Sequence, residues 1–296
     1  MKIVKACGLL CLAVSFLFAA AGNSAAEIKI GVLAKRGPEK AMQEWGPTAE
    51  YLTGKVGDKV VIIPLKFEAI EPAVKEGQID FMLANSSFFV EMEKKYQSRA
   101  VVTVVTILDG KPMDRFGGVI LVKKESPIQT LEDMRGKKFM VVDSTSFGGG
   151  QMAWKLLLDN GIDPHKDLAA FMEGKKHDNV VLAVLNGVAD VGSVRTDTME
   201  SMEKEGKIKM ADFRIINQIK DDFPYVHSTI LYPEWPMAAM AKTPAAVADK
   251  VAAALKEISP DSPPAKAAAI YGWKDPADYT SVRECLTTLK FGAFAE

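Results

Sequence analysis

Short β-rich runs alternate with stretches of helical periodicity along nearly the whole chain. In the first cycle, an apolar run at residues 28–33 precedes an amphipathic stretch at about 39–55, and a second apolar run follows at 60–64. Short strands separated by amphipathic helices are typical of sheets with parallel pairs and helices on both faces. The alternation predicts an α/β fold with mixed, mostly parallel sheets.

The same alternation continues to the end of the chain. Further strands are predicted at residues 79–84, 101–107, 116–122, 138–142, 188–194, 213–216 and 228–232. Further helices are predicted at residues 69–76, 149–160, 182–186, 196–205, 243–258, 265–270 and 279–289. Gly77, Gly161 and Gly206 each follow a predicted helix, in the position where a left-handed residue commonly ends one.

The first 26 residues have the pattern of an export signal. Lys2 and Lys5 precede an apolar run at residues 8–21, and small residues follow at 24–26. The apolar run is shorter than the ~20 residues that a membrane-spanning helix needs. We therefore expect cleavage after Ala26 and a soluble mature protein in the periplasm.

The chain is long enough to form two hydrophobic cores, because single cores stop growing at about 250–300 residues. We predict that lobe 1 is built from residues 27–112 and 219–296, and lobe 2 from residues 113–218. The chain would then cross between the lobes twice. Because ligands of open α/β sheets bind beyond the carboxyl ends of strands, we expect a ligand cleft at the hinge.

Composition excludes several functional classes. Loss of residues 1–26 would change the formal net charge from −1 to −3, whereas a nucleic-acid-binding surface needs a basic excess. His165, His177 and His227 lack metal-ligand spacing, and the chain contains neither HExxH nor G-x-S-x-G. We therefore expect a binding protein with no catalytic activity, no cofactor and no metal site.

The strongest candidate site is the segment 143–150, which connects a predicted strand to a predicted helix. Ser144, Thr145 and Ser146 provide hydroxyl groups, and Gly148 begins a run of three glycines. Free amide groups and the dipole at a helix start attract anions, and glycines let the backbone approach a ligand closely. The alternative is a capped helix start with a flexible glycine connection.

Basic residues occupy similar positions elsewhere. Arg195 ends one predicted strand, and Lys35 and Arg36 end the first. These side chains could bind an oxyanion, bidentately in the case of arginine, or could form ordinary surface ion pairs. His177 precedes a predicted helix and could donate to an anionic oxygen, or could be an exposed loop histidine.

Asn85 and Ser86 lie where the third predicted strand gives way to a helix. They could form a second polar nest for a ligand. The alternative is a simple helix N-cap with apolar residues packed beneath it.

The residues 144–150 resemble the Ser-Thr-Ser-Gly turn of the phosphate/phosphite/phosphonate-binding family of periplasmic solute-binding proteins. His177 and Asp178 are similar to the family's histidine after the next loop. The resemblance covers nearly the whole mature region and implies a two-lobed, type II periplasmic binding protein that serves an ABC permease. It also implies that Ser144, Thr145, Ser146 and His177 contact the ligand.

Other stretches are similar to a subgroup in which this fold is the extracytoplasmic sensor of histidine kinases. These stretches are residues 31–37, 194–196, 223–229, 231–235 and 272–279. Arg36, Arg195 and His227 lie within them and complete the predicted ligand-binding set. The acid that binds a ligand amine in some members is missing from residues 225–228, and Phe67 stands where a capping tyrosine is expected. These departures argue for an oxyanion ligand without an amine, and leave phosphonate, phosphate, phosphite, sulfonate and carboxylate open.

The combined expectation is an extracytoplasmic protein that captures a small oxyanion, similar to phosphonate or phosphate, for ABC-type uptake. The alternative is a free-standing sensor that regulates a membrane histidine kinase or another signalling partner. We expect a monomer that binds no nucleic acid.

Overall fold

The computed structural model describes residues 27–108 and 110–295. The predicted export signal and its cleavage after Ala26 lie outside the described residues. The strands are β1 Glu27–Leu33, β2 Lys59–Leu65, β3 Phe81–Leu83, β4 Arg99–Leu108, β5 Lys111–Met113, β6 Arg115–Phe116, β7 Gly118–Lys123, β8 Lys138–Val141, β9 Ala170–Glu173, β10 Val191–Arg195, β11 Phe213–Ile216, β12 Tyr232–Pro233, β13 Pro236–Ala239 and β14 Ile270–Lys274. The helices are α1 Pro38–Val56, α2 Ile70–Lys75, α3 Ser86–Tyr96, α4 Met152–Asp159, α5 Pro164–Asp167, α6 His177–Leu185, α7 Thr198–Lys204, α8 Ala245–Lys256, α9 Pro263–Ala268 and α10 Thr280–Leu289.

Two sheets organise the chain into the predicted two-lobed α/β fold. The first sheet has the order β14-β4-β13-β3-β1-β2, with β5 paired to β4, and the second has the order β11-β7-β10-β8-β9. We call the parts that hold them lobe 1 and lobe 2. Strands of lobe 1 come from both ends of the described chain and strands of lobe 2 from its middle, while the residue limits of the lobes stay a prediction.

Both sheets are mixed, and each divides into a parallel and an antiparallel part. β3, β1 and β2 are parallel, as are β10, β8 and β9. The strands that return between the lobes pair in the antiparallel direction: β13 lies between β3 and β4, and β7 lies between β10 and β11. This arrangement brings the carboxyl ends of β1 and β10 to the cleft.

Helix α1 shows why the predicted helices form where they do. Its buried side chains include Trp45, Ala49, Leu52 and Val56, which are three or four positions apart and so share one face. The helix ends at Gly57, whose φ of 81° is a left-handed conformation that glycine adopts without steric cost. The buried face packs into the core of lobe 1, against β2, α8 and α9.

Some sequence predictions are wrong in detail. No strand forms at residues 228–231, because the Ser228 hydroxyl donates to the Ile216 carbonyl and both the Ser228 and Thr229 amides bind the Gly118 carbonyl. Strands β9, β13 and β14 were not predicted. Each contains four or five residues, too few for their periodicity to stand out. Within residues 27–108 and 110–295, no helix is long and apolar enough to span a bilayer.

We expect Leu52→Ala to lower the free energy of unfolding by about 2–5 kcal/mol, because Leu52 is fully buried and its loss leaves a cavity. The measurement is urea denaturation followed by circular dichroism. Met42→Ala on the same helix is the matched control, since Met42 is 45 % exposed. Its effect should stay within about 0.5 kcal/mol of zero. Equal losses in both variants would contradict the packing of α1.

Candidate functional site

A partly enclosed cavity lies between the lobes, at the carboxyl ends of β1 and β10. Its volume is about 100 Å³. We call it the cleft cavity. Lobe 1 contributes Lys35, Arg36, Glu44, Trp45 and Trp235 among others, and lobe 2 contributes Arg195, Asp197 and Ser201.

Arg195 is the centre of the cleft cavity. Its guanidinium donates to Glu234, with Nη2 2.6 Å from Oε1, and its Nε donates to the Thr196 carbonyl at 3.2 Å. Glu234 belongs to residues 217–235, between β11 and β13, which we call the second crossing segment. The side chains of Arg195 and Glu234 are only 5 % and 1 % exposed. Two aromatic rings flank the cation, with the centroids of Phe116 and Trp235 at 4.5 and 5.5 Å from Cζ. These contacts satisfy the charge and fix the plane of the guanidinium.

Lys35 is the second cation of the cleft cavity. Its Nζ lies 3.1 Å from Asp197 Oδ2 in lobe 2 and 5.6 Å from the centre of the Trp235 ring. Burial disfavours the ionised form of Asp197, but Arg195 and Lys35 outweigh it and hold the pKa of that carboxyl below its usual value. Asp197 therefore stays ionised and bridges two cations.

Arg36 forms bonds between the lobes instead of presenting free donors to the cleft cavity. Its Nε and Nη2 bind Asp178 at 2.6 and 2.9 Å, and its Nη1 and Nη2 bind Glu205 at 2.9 and 2.7 Å. Lys40 adds a contact to Glu205 at 3.1 Å, and Lys207 of lobe 2 binds the same carboxylates. We call this cluster the interlobe latch. Burial opposes the charge on Arg36, but the two carboxylates outweigh it and raise its pKa.

The glycine-rich segment is folded into a π-helical turn, Phe147–Gln151, that precedes α4. The amides of Ser144, Thr145 and Ser146, which precede this turn, already have carboxylate or carbonyl partners. The Ser144 amide donates to Glu173 Oε1 at 2.8 Å, the Thr145 amide to Asp143 Oδ1 at 3.0 Å, and the Ser146 amide to the Asp143 carbonyl at 2.9 Å. Lys175 in turn pairs with both Asp143 and Glu173. The acceptors of this segment's own lobe thus occupy the positions in which an anion would bind these amides.

The three glycines are required by close packing. A side chain at Gly148 would lie 2.7 Å from Arg195 Cβ, and one at Gly149 would lie 2.5 Å from Val142 Cγ2. A side chain at Gly150 would lie 2.8 Å from the Asp143 carbonyl. The turn therefore packs directly against the Arg195 side chain at Gly148. Thr145 faces a separate, open groove beside Phe67 and Phe88 of lobe 1.

His177 begins α6 and lies between the glycine turn and Arg195. It is buried, its Nδ1 accepts from the Arg195 amide at 3.3 Å, and its own amide donates to the Lys35 carbonyl at 3.3 Å. Burial, together with the nearby Lys35 cation, lowers the pKa of His177 to about 3. The ring is therefore neutral at physiological pH and positions the backbone of Arg195.

The remaining predicted contacts lie outside the cleft cavity. Asn85 caps α3 by accepting from the Phe88 amide at 3.0 Å, and its Nδ2 donates to the Thr145 carbonyl across the lobes at 3.2 Å. The Ser86 hydroxyl donates to the Pro233 carbonyl at 2.6 Å. The His227 ring contacts the Thr229 carbonyl at 2.8 Å and Asp221 at 3.1 Å. Their contact with a ligand stays a prediction.

Among the residues of the cleft cavity that sequence reasoning missed are Glu44, Asp197, Ser201, Glu234 and Trp235. The signal for Glu234 was a charged residue inside the run 231–240, which is otherwise apolar or aromatic and buried at most positions. An acid in such a context needs a cationic partner. Asp197 lies two positions after Arg195, at the start of the helix predicted at residues 196–205, but nothing in its neighbours indicates that it bridges two cations. Within the described ranges, no group of three acidic, histidine or cysteine residues is placed to hold a metal ion.

We expect Arg36→Gln to open the lobes of the ligand-free protein, because it removes the charged hydrogen bonds of the interlobe latch. At about 1.5–3 kcal/mol for bonds to charged groups, the ratio of closed to open molecules should fall roughly ten- to hundredfold. Small-angle X-ray scattering should then show a larger radius of gyration. Arg135→Gln is the control, since Arg135 pairs with Glu132 and Asp167 inside lobe 2. An unchanged radius in Arg36→Gln would show that the latch does not hold the lobes.

Below about pH 6.5, we expect His177 to lower the free energy of unfolding as the pH decreases. The unfolded chain binds a proton there, whereas the native ring stays neutral until about pH 3, so unfolding becomes easier by about 1.4 kcal/mol per pH unit. Urea denaturation between pH 7.5 and 5 measures this slope. His177→Gln should remove most of it, whereas His165→Gln, with an exposed ring, should retain it. Equal slopes in wild type and His177→Gln would refute the assignment.

Comparison with known proteins identifies the family to which this chain belongs. A family model described as the periplasmic substrate-binding protein of a phosphonate ABC transporter matches residues 30–281. The tetrathionate sensor histidine kinase TtrS of Salmonella typhimurium is 30 % identical over 292 residues, which is 98 % of this chain and 47 % of that protein. The chain thus spans about half the length of this curated relative.

Solved structures share the fold at low sequence identity. PhnD1 from Prochlorococcus marinus in complex with methylphosphonate superposes with a TM-score of 0.75 at 13 % identity, covering 89 % of this chain and 98 % of that one. A binding-protein component of an ABC phosphonate transporter from Pseudomonas aeruginosa gives 0.74 at 17 % identity, covering 88 % and 86 %. The two-lobed architecture and the matched residues together show that the chain belongs to the phosphonate-binding family of periplasmic substrate-binding proteins of ABC transporters.

Proposed function

We propose that this chain captures a small oxyanion in the cleft cavity and delivers it to an ABC permease. The observation that supports the proposal is the convergence of Lys35 of lobe 1 and Arg195 of lobe 2 on one partly enclosed cavity. Support comes from the family and from PhnD1, which was solved with methylphosphonate. Lys35 and Arg195 are the proposed anion contacts, and Arg36 closes the lobes around them.

The magnitude of the proposed contacts fits micromolar capture. Bonds between charged groups contribute roughly 1.5–3 kcal/mol each, and micromolar binding corresponds to about −8 kcal/mol. Bonds from Lys35, from the two Nη atoms of Arg195 and from the Ser201 hydroxyl at the cavity wall are of the required order. Because they come from both lobes, an anion bound to them stabilises the closed arrangement over the open one.

The segment 144–148 remains a second candidate position for the anion. Binding there would require the carboxylates of Asp143 and Glu173 to leave the amides of Thr145 and Ser144. At the cleft cavity, by contrast, the donors are full cations and are held by carboxylates of the opposite lobe. This difference favours the cleft cavity, with the glycine turn as its support.

The second candidate function is sensing. TtrS matches this chain over 98 % of its length and is a tetrathionate sensor histidine kinase. A sensor of this kind would capture its anion in the same cavity, but would act on a membrane kinase or another signalling partner. The two functions share the capture step and differ in the partner.

Isothermal titration calorimetry with methylphosphonate, phosphate, sulfate and tetrathionate tests the capture step. We expect one of these oxyanions to bind, and Lys35→Gln to weaken it about ten- to hundredfold through the loss of one charged bond. Lys55→Gln on the exposed side of α1 is the control and should bind as wild type, since Lys55 pairs with Glu257 far from the cleft cavity.

The double variant Ser144→Ala/Thr145→Ala separates the two candidate positions. The double variant should bind as wild type if the anion occupies the cleft cavity. Loss of binding in the double variant would instead assign the anion to the glycine turn. Absence of binding by all four anions would contradict the proposed function. Uptake of the bound anion by cells that lack the gene for this chain then separates transport, in which uptake is lost, from sensing, in which uptake persists and the transcriptional response is lost.

A further inference from the structure

The Glu44 carboxyl lines the cleft cavity but takes part in none of the bonds described above. It lies on α1, one position before Trp45, and both residues line the cavity. Among the described residues, its carboxyl group has no hydrogen-bond donor and no ion-pair partner. A half-buried carboxyl group without a partner is costly to ionise, so its placement beside an anion site requires an explanation.

The cations around Glu44 are already neutralised by other acids. Lys35 binds Asp197 at 3.1 Å, Arg195 binds Glu234 at 2.6 Å, and Arg36 binds Asp178 and Glu205 in the interlobe latch. An ionised Glu44 would therefore add one negative charge to a cavity whose cations are paired. An entering anion would then face a like charge at close range.

Charged groups from several elements around Glu44 influence its protonation. Burial is the main cause that raises its pKa, and Asp197 of the β10–α7 connection adds to it. Lys35 and Arg36 of the β1–α1 connection and Lys40 of α1 itself oppose this shift. Arg195, Glu234 and Tyr225 face the same cavity from β10 and from the second crossing segment. The balance raises the pKa of the Glu44 carboxyl above that of an exposed glutamate.

We propose that Glu44 couples the capture of an oxyanion to one proton, which lies between its carboxyl group and an oxygen of the bound anion. This inference rests on the proposed function of the cleft cavity. With a fully ionised anion, such as sulfate or tetrathionate, Glu44 takes a proton from solvent and donates it in a hydrogen bond. With hydrogen methylphosphonate, the anion brings its own proton and Glu44 accepts. In both cases the only covalent change is the transfer of this proton, and no other bond is formed or broken.

The coupling makes Glu44 a specificity-determining residue. Anions of strong acids bind only when Glu44 is protonated, so their affinity rises as the pH falls. An anion that carries a proton binds instead to the ionised carboxylate. Trp235 adds a second polar group at the wall, because its indole nitrogen is buried and has no hydrogen-bond partner within residues 27–108 and 110–295. Proton state and hydrogen-bonding pattern of the anion, in addition to its charge, therefore decide what the cavity accepts.

The test is calorimetry of wild type, Glu44→Gln and Glu50→Gln between pH 5.5 and 8, in buffers of different ionisation enthalpy. Glu50 is exposed on the same helix and is the matched control. With sulfate and tetrathionate, whose charge is constant in this range, wild-type affinity should fall up to about tenfold per pH unit above the pKa of Glu44. Binding should take up as much as one proton. Glu44→Gln should show neither effect, and Glu50→Gln should show both.

Methylphosphonate gives the complementary result. Wild type should bind its monoprotonated form better than its dianion, and Glu44→Gln should lose this preference. Identical proton uptake and identical pH dependence in wild type and Glu44→Gln, for whichever of the three anions binds, would overturn the inference while the capture function stands. If none of the three binds to wild type and phosphate fails as well, the proposed function fails and this inference falls with it.

Discussion

The buried ion pair between Arg195 and Glu234 is the interaction on which the cleft depends. It joins the end of β10 in lobe 2 to the second crossing segment, where both side chains are almost completely removed from water. Two charges in such a place are tolerated only because each satisfies the other and the Phe116 and Trp235 rings flank the cation. Loss of one partner would leave an uncompensated buried charge, at a cost of about 3–5 kcal/mol.

The surrounding structure serves to hold this pair in place. Gly148 permits the turn before α4 to pack directly against Arg195, and the neutral His177 ring accepts from the Arg195 amide. Lys35 and Asp197 extend the same alternation of charges across the lobes. The cations of the cleft cavity are therefore preorganised by acids of this chain, so that an oxyanion exchanges with or joins existing pairs instead of ordering flexible side chains.

Local sequence features predicted much of the fold. The limits of β1, β2, α1 and β11 differ from the predicted ones by at most one residue, because their hydrophobic periodicity, and the glycine that ends α1, depend on neighbouring residues alone. The segment 228–232 failed for the opposite reason. Its β-rich composition predicted a strand, but the hydroxyl groups of Ser228 and Thr229 accept from backbone amides of β7 that lie 108 and 111 residues earlier. A contact over such a separation has no local signal.

By itself, the sequence determined the α/β alternation, the family resemblance and the positions of polar residues at the ends of β1, β8 and β10. Tertiary structure alone decided which of these residues meet. Arg36 pairs with Asp178 across 142 positions and Arg195 with Glu234 across 39, and Asp143 and Glu173 occupy the amides of the Ser144–Ser146 turn. The physical reason is that a helix or strand is selected by its own neighbours, whereas the partner of a charge is selected by the order of strands in each sheet and by the closure of the two lobes.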